Sequence, residues 1–431
     1  MSFVLVGDLF NHIDKEVRVR GWAHKIRKLG GMNFLMLRDR TGVVQAAIEG
    51  DVAEKLKGIG LESVLSIVGM VVKEDRAPGG VEIKAADIEI ISKVSDEIPL
   101  EINKKDLPAN IDTILEYRPI ALRHPKEQAI FRVQAEIAKC FADFFKNEGF
   151  TQIFTPKIVS AGAEGGAGLF KVDYFERKAF LGQSPQLYKQ IMVGVFERVF
   201  EIGHVYRAEE HNTSRHLNEV VQLDIEMGFI DSQNDVMDMQ EKFLKYLSIR
   251  LKENNAKDFE ISGAAIPGIS AIPKMTLEEA QAIIEKEYKK ECKGLPDLDP
   301  EHEKMICEYV KKKEGSDYVF VTHFPAKKKP FYIMDDVENQ GKSLSFDLLF
   351  RGIEISSGGQ RNHNYEVQAE KFKKMGYDPE SFKDYLSIFK YGMPPHGGWS
   401  IGLERITMKM LNLSNVREAS LFPRDRHRLT P

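Results

Sequence analysis

Cysteine is scarce in this 431-residue chain, and long apolar runs are missing. The three cysteines, Cys140, Cys292 and Cys307, are odd in number, widely spaced and never paired as C-x-x-C. That pattern argues against a disulfide framework and for a reducing compartment. No stretch approaches the length of a membrane span, and the opening MSFVLVGDLF is too short and too acidic for a secretory signal. The expectation is a cytoplasmic protein with no membrane partner. Neither sign of charge dominates, since 61 basic residues against 65 acidic ones give a net charge of −4. No global field therefore draws in polyanions, and any nucleic-acid surface has to be local. A glycine-rich phosphate loop or dinucleotide fingerprint ahead of a helix is also absent. A bound nucleotide would be held by arginines rather than by a cradle of amides.

Hydrophobic residues make up 42% and charged residues 29%, the balance of an ordinary globular chain. The length suits two or three domains with a large core. Up to about residue 100, five short β-rich runs are separated by glycine or charged turns: EVRVRGWAHKI, MNFLMLRD, VVQAAI, SVLSIVGMVV and VEIKAADIEII. Such runs predict a small closed barrel of the OB kind, a common binder of unpaired nucleotides. Lys15, Arg18, Arg20, Lys25, Arg27, Lys28, Arg38 and Arg40 face only Glu16 and Asp39 in that region. They read either as a nucleic-acid surface or as a solvated charged face. Phe34 can stack on a base while Arg27 and Gln45 supply polar contacts; alternatively Phe34 is core.

Residues 101–124 read as a hinge rich in proline and charge, without periodicity. A second domain, 125–431, opens with a helical pattern through Ile130, Val133, Ile137, Phe141 and Phe144 that stops at Asn147-Glu148-Gly149, followed by the strand-like FTQIFTP. Later strand-like runs are KAFLG, RVFEIGHVYRAE, VVQLDIEMGFI, SLSFDLLFRGIEISSG and GGWSIG. The fold class is multi-domain α+β, the second domain being a sheet covered by helices. Residues 275–316, Lys/Glu-rich and helical in pattern, read as a surface insertion without chemistry.

Three segments carry candidate chemistry. HVYRAEEHNTSRHLNEVVQLDIEM sets Arg207 and Arg215 eight apart across a polar turn, where both guanidinium forks can reach one anion. GGWSIGLERI puts glycines before Glu404 and Arg405 and then starts a helix. RGIEISSGGQR offers Glu354 and Ser357 as oxygen ligands, with Asp347 upstream, a seat for Mg²⁺. Taken singly, each pattern also fits a surface arginine pair or a chance Glu-x-x-Ser step.

In order along the chain, FTQIFTP, VYRAEEHNTSRHLNE and GGWSIGLER resemble motifs 1, 2 and 3 of class II aminoacyl-tRNA synthetases. QSPQLYKQ (183–190), SAGAEGGAGLF and GIEISSGGQR resemble the aspartyl-tRNA synthetases of the archaeal and eukaryotic type. The resemblance implies an antiparallel class II catalytic sheet behind an anticodon-binding barrel, a homodimer built on the helix 126–147 and FTQIFTP, and ligation of L-aspartate to tRNA using ATP and Mg²⁺. It implies catalytic roles for Arg207, Glu354 and Arg405, with Arg207 bridging the substrate carboxylate and the α-phosphate. ATP contacts extend to Ala208, Glu209, Arg215, His216, Leu217, Gly402, Leu403 and Glu404. Glu354 and Ser357 hold the metal, which spreads charge on the pyrophosphate leaving group. Glu164 and Gln186 receive the substrate ammonium, Leu187, Tyr188 and Ser357 line its pocket, and Lys189 and Arg361 meet its side-chain carboxylate. An amide in place of that carboxylate would leave a buried charge unpaired, a penalty worth roughly 10⁴-fold in discrimination.

Two departures stand out. The lid segment reads GGAGLF where many relatives carry a hydroxyl residue and Glu after the glycines, and Val220 takes a position that is often aromatic. In the barrel, His24 and Pro78 replace the Trp and Lys of enzymes restricted to tRNA(Asp). That combination resembles the relaxed enzymes, which also charge tRNA(Asn) for a separate amidotransferase. The alternatives are neutral turn variation in a strict tRNA(Asp) enzyme, a metabolic enzyme amidating free aspartate, and an inactive OB-type nucleic-acid-binding protein.

Overall fold

The computed structural model describes residues 3–29, 32–160, 168–210 and 213–431. Contacts divide the chain into two compact units, Met1–His124 and Pro125–Pro431.

In the first unit, strands β1 (Glu16–Leu29), β2 (Met32–Arg38), β3 (Val43–Ile48), β4 (Val64–Lys73) and β5 (Val81–Ser92) close into a barrel in the order β1-β2-β3-β5-β4. All neighbours are antiparallel except β3 and β5. Alternation builds the core: Leu35, Leu37, Val44, Ala46 and Ile48 point inward and are buried, so their neighbours in sequence face out. Gly21 is required where β1 crosses β2, because a Cβ there would sit 2.3 Å from the Arg38 carbonyl oxygen. The stretch expected as an aperiodic hinge carries two short helices, Ile111–Glu116 and Arg118–Ala121. Asn110 caps the first by accepting from the Thr113 amide, and Leu100, Ile102 and Ala121 form a small apolar cluster beside them.

The second unit is built on eight strands: β6 (Thr151–Gln152), β10 (Arg198–Tyr206), β11 (Glu219–Gly228), β12 (Lys274–Thr276), β13 (Tyr318–Thr322), β14 (Ser345–Phe350), β15 (Ile353–Arg361) and β16 (His396–Gly402). Their order is β12-β13-β14-β15-β16-β11-β10-β6. The six central strands run antiparallel, and the two edge strands pair in parallel. The helices Pro125–Asn147 and Gln233–Asn254 bury an aromatic-rich core against the sheet, with Phe141, Phe145 and Phe243 meeting Trp399. FTQIFTP is not one continuous strand. Only Thr151–Gln152 pairs with β10, and beyond Pro156, which has no amide to donate, Ile158–Val159 (β7) joins Lys171–Tyr174 (β8) and Arg177–Leu181 (β9) in a small separate sheet.

The expected surface insertion is corrected by the structure. Its first strand, β12, extends the main sheet, and its helix Pro300–Glu314 buries His302, Glu303, Ile306, Cys307 and Val310 along one face. Three lysines and a glutamate in the last turns disguise that face in the sequence.

Candidate active site

A cavity of about 720 Å³ opens over the central strands of the second unit. It brings together Gln186, Lys189, Arg207, Glu209, Arg215, His216, Leu217, Glu354, Ser357, Arg361, Gly402, Glu404 and Arg405. Four expected positions do not line it. Leu187 and Tyr188 lie on the helix Gln186–Phe196, where the 3.6-residue period groups 186, 189, 190 and 193 on the buried face and turns 187 and 188 away. Leu187 packs instead in the apolar cluster around Phe389 and Met393. Ala208 makes a backbone bond from its amide to the Gly168 carbonyl, and Leu403 belongs to the main core. Glu164 and the first three residues of the lid segment lie outside the described residues.

At one end of the cavity, four charges are packed out of water. Lys189 Nζ donates to Asp224 Oδ1 at 3.0 Å and lies 3.4 Å from Glu226 Oε2; its side chain is 2% exposed. Arg361 Nε donates to Glu226 Oε1 at 2.8 Å, and Nη2 donates to Glu226 Oε2 at 3.3 Å, Gln186 Oε1 at 3.4 Å and the Gly398 carbonyl at 3.0 Å. Burial would raise the Glu226 pKa, but Arg361 and Lys189 outweigh it and hold the carboxylate below its ordinary value. At Asp224 burial prevails over Lys189, and the pKa is raised. Behind this pair runs a chain of defined polarity. His396 Nδ1 bonds the Pro394 carbonyl, which leaves Nε2 to accept from Gln190, and Gln190 Oε1 in turn accepts from Gln186 and Tyr385. Burial pushes His396 down to about 4, so the ring is neutral.

Arginines gather at the other end. Arg207 follows β10, is anchored through its backbone to Asn218, and has no guanidinium partner among the described residues. Arg215 donates to Glu303 Oε2 at 2.6 Å, and its buried Nε has no partner among the described residues. Arg405, on the helix Leu403–Met410, donates to the backbone oxygens of Glu354 at 2.9 Å and Arg215 at 3.3 Å. Burial lowers the His216 pKa, and Arg405 lowers it further, so His216 is a neutral, half-buried ring beside the cations. Val220 also lines this cavity.

Glu354 and Ser357 are three residues apart, a spacing that places side chains on opposite faces of a regular strand. Here Leu349 pairs with Glu354 and Leu348 with Ser356, so Ile355 is an extra residue, a β-bulge. Ile355 goes to the core and Ser356 accepts from Gln240, while Glu354 and Ser357 both turn to the cavity. Asp347 stands opposite Ser357, and Lys329 Nζ donates to it at 3.0 and 3.2 Å. Glu354 keeps 36% of its side-chain surface open. Protein enclosing its other sides raises its pKa, and Asp347 raises it further. No cluster of three metal-ligating side chains exists among the described residues. The donor set still fits Mg²⁺, which takes one or two carboxylates and fills its remaining positions with phosphate and water.

On the barrel, Arg27 pairs with Phe34 across β1 and β2, and Met36 pairs with Gln45 across β2 and β3. Phe34 is half-buried and stands outside the barrel core, so Arg27, Phe34 and Gln45 share the outer face. Gln45 donates to Glu82 at 2.5 Å. His24 occupies a bulge in β1, within 3.3 Å of Arg38 and 3.6 Å of the buried Glu62, while Pro78 is exposed in the turn before β5. Burial would raise Glu62, but His24, Arg38 and Arg123 hold it below its ordinary value.

The family model for class II tRNA synthetases (D, K and N) matches residues 110–426, and one for an OB-fold nucleic acid binding domain matches residues 17–91. This chain belongs to the class II tRNA synthetases of the D, K and N group. The aspartate--tRNA(Asp/Asn) ligase of Thermus thermophilus is 50% identical to this synthetase over 99% of the chain and 100% of its own length. The aspartate--tRNA(Asp) ligase of Pyrococcus horikoshii is 41% identical over 97% of this chain and 96% of its own. Among solved structures, asparaginyl-tRNA synthetase from Pyrococcus horikoshii complexed with asparaginyl-adenylate superimposes with a TM-score of 0.91 at 31% identity, covering 98% of this chain and 97% of the other. Synthetases of this family use ATP, generally with Mg²⁺, together with an amino acid and tRNA. No described helix is long and apolar enough to cross a membrane.

Asp224, Glu226 and Glu303 are among the residues of this synthetase's cavity region that escaped sequence reasoning. Asp224 and Glu226 were detectable as two acids at period two on an otherwise apolar strand, VVQLDIEMGFI. Glu303 carried no such signal, standing in a helix where Glu and Lys abound. Its carboxyl is pushed up to about 7, by burial first, with Arg215 opposing and Glu354 adding to the rise.

Proposed function

We propose that this synthetase activates L-aspartate with ATP and transfers it to both tRNA(Asp) and tRNA(Asn). The observation that carries the reading is the buried pairing of Lys189 and Arg361 around Glu226, at one end of a cavity whose other end holds Arg207, Arg215 and Arg405. A dicarboxylic amino acid fits that charge layout. Its side chain would lie beside Lys189, and its α-carboxylate would face the arginines. Asparagine in the same place would set an amide NH₂ against two cations.

The α-carboxylate is already ionised at neutral pH, so attack on the α-phosphorus needs no general base from the protein. Arg207 would bridge nucleophile and α-phosphate, Arg405 and Arg215 would hold the triphosphate, and neutral His216 would flank adenine. Bound at Glu354 and Ser357, Mg²⁺ would supply charge neutralisation for the departing pyrophosphate. The second step uses the same frame: a terminal ribose hydroxyl of tRNA attacks the aspartyl carbonyl carbon of the adenylate, the bond to phosphate breaks, and AMP leaves with the hydroxyl proton passing to phosphate or water. Arg27, Phe34 and Gln45 would meet the anticodon. His24 and Pro78 support the relaxed reading over a strict tRNA(Asp) enzyme, and the 50% identity to a ligase named for both tRNAs supports it as well. The domain roles follow: 1–100 for the anticodon, 101–124 as connector, 125–431 for catalysis. A cytoplasmic homodimer, supplying Asp-tRNA(Asn) to an amidotransferase, completes the proposal. Phe154, 81% exposed in the motif 1 segment, is the kind of apolar surface a second copy would cover.

Aspartate-dependent ATP–pyrophosphate exchange, followed by charging of purified tRNA(Asp) and tRNA(Asn), tests this. Exchange with charging of both tRNAs is expected. Charging of tRNA(Asp) alone returns the enzyme to the strict class, and no exchange at all sinks the catalytic reading.

A further inference from the structure

We propose that Glu303 is a positioning residue for adenylate formation, fixing Arg215 and the Glu354 end of β15 relative to one another so that both meet the same triphosphate. The proposal rests on the reading above that this cavity binds ATP. Glu303 Oε2 accepts from the Arg215 guanidinium at 2.6 Å and from the Glu354 backbone amide at 3.1 Å. Arg405 closes the ring from the other side, donating to the Glu354 and Arg215 carbonyl oxygens at 2.9 and 3.3 Å. Four elements distant in sequence are thereby tied together at one place: the helix Pro300–Glu314, the turn after β10, β15 and the C-terminal helix Leu403–Met410.

Charge gives this ring a task. Arg405 and Arg215 are half-buried close together, and the charge of Arg215 disfavours the ionised form of Arg405, as does that of Arg207. Before a polyphosphate arrives, such a cation cluster needs a resident acceptor to stay ordered. Glu303 supplies it from behind, taking one Arg215 nitrogen, and the buried Arg215 Nε has no partner among the described residues. An arginine whose fork is already oriented loses less rotamer freedom when it engages a phosphate. The helix that delivers Glu303 is locked to the sheet by Ile306, Cys307 and Val310, so the carboxylate is held rigidly.

The test is steady-state pyrophosphate exchange with full-length Glu303→Ala, Glu303→Gln, Arg215→Ala and the Glu303→Ala/Arg215→Ala double variant, each checked by thermal melt. Losing a charge-assisted bond that orders Arg215 should raise the ATP KM of Glu303→Ala about tenfold or more. The aspartate KM should stay within about twofold, since that pocket is separate and distant effects add independently. Glu303→Gln, which keeps an acceptor in place, should recover part of the loss, and it carries the test if the alanine variant fails to fold. In the Arg215→Ala background the Glu303→Ala effect should shrink to about threefold or less, the signature of action through that arginine. An unchanged ATP KM, a parallel rise for ATP and aspartate, or an undiminished effect in the Arg215→Ala background overturns the proposal. Calorimetric titration with Mg–ATP makes the same comparison without aspartate. Wild-type protein that binds ATP but exchanges nothing with aspartate therefore sinks the substrate reading, while the Glu303→Ala Kd still decides this one.

Discussion

Replacing Lys189 with Met keeps a long side chain but removes one of the two cations that serve Asp224 and Glu226. Those carboxylates lie 3.0 and 3.4 Å from Nζ and are at most 2% exposed, so water does not substitute for the lost charge. Deleting one partner of a buried ion pair costs about 3–5 kcal/mol. At about 2–4 °C per kcal/mol for a large domain, the catalytic unit should melt roughly 6–20 °C lower. The deficit has a pH signature. Burial raises the Asp224 pKa above 3.8, with Lys189 opposing, and without Lys189 it rises further. A carboxyl with a raised folded-state pKa holds a proton that the unfolded chain has released, so stability falls as pH climbs from the unfolded toward the folded value. The variant's disadvantage therefore grows between the wild-type and variant folded pKa values and is smallest in acid. Aspartate-dependent exchange should fall about 10³-fold or more, because a site built for a polar pair loses its partner. Melts at pH 5 and pH 8 with exchange assays read all three effects. A melt within about 2 °C of wild type at pH 8, too small for any uncompensated buried charge, refutes the reasoning. So does exchange at an unaltered aspartate KM.

Gly398→Ala should abolish exchange, because its Cβ would meet the Ile225 carbonyl oxygen at 2.1 Å and Glu226 Oε2 at 2.3 Å. Overpacking costs about 1–3 kcal/mol, and displacement of Glu226 disorders Arg361 besides, so full activity in this variant would contradict the packing account. Glu404→Gln removes a carboxyl that burial pushes up to about 7. In wild type, stability falls as pH rises from the unfolded value, about 4.3, to about 7, so the variant should gain on wild type across that window in urea titrations; a pH-independent difference is the contrary result. Phe34→Ala should weaken tRNA use by the about 1–3 kcal/mol of one stacked base while leaving tRNA-independent exchange untouched, and equal losses in both assays would remove Phe34 from the nucleic-acid surface.

The barrel was legible because glycine or charged turns separate its short β-rich runs: all five became strands, with Leu35 and Leu37 inside and Phe34 outside. The long helix ending at Asn147 was legible for the matching reason, an uninterrupted 3.6-residue stripe closed by Gly149 at φ 81°. Ordered motifs carried the site, and the cavity gathers Arg207, Arg215, Glu354, Lys189, Arg361 and Arg405 as those motifs implied. Facing was harder to read. Leu187 and Tyr188 sit inside a matching motif but on the wrong side of their helix, and residue type does not reveal rotation about a helix axis when neighbours on both sides are apolar. Glu303 was invisible because a single buried acid in a Lys/Glu-rich helix differs from its neighbours only by tertiary contact. The short helices in 111–121 lack the length over which periodicity can be counted.

The extra residue at Ile355 reverses what the loss of one position would do in an ordinary strand. Deleting Ile355 would bring Glu354 and Ser357 to a spacing of two, so a perfectly ordinary strand with its other pairings kept would still present both oxygen donors to the cavity. In this segment, frame-preserving loss of that single codon is a milder lesion than any change that flattens the bulge with every residue kept, which would turn Ser357 toward the helix Gln233–Asn254.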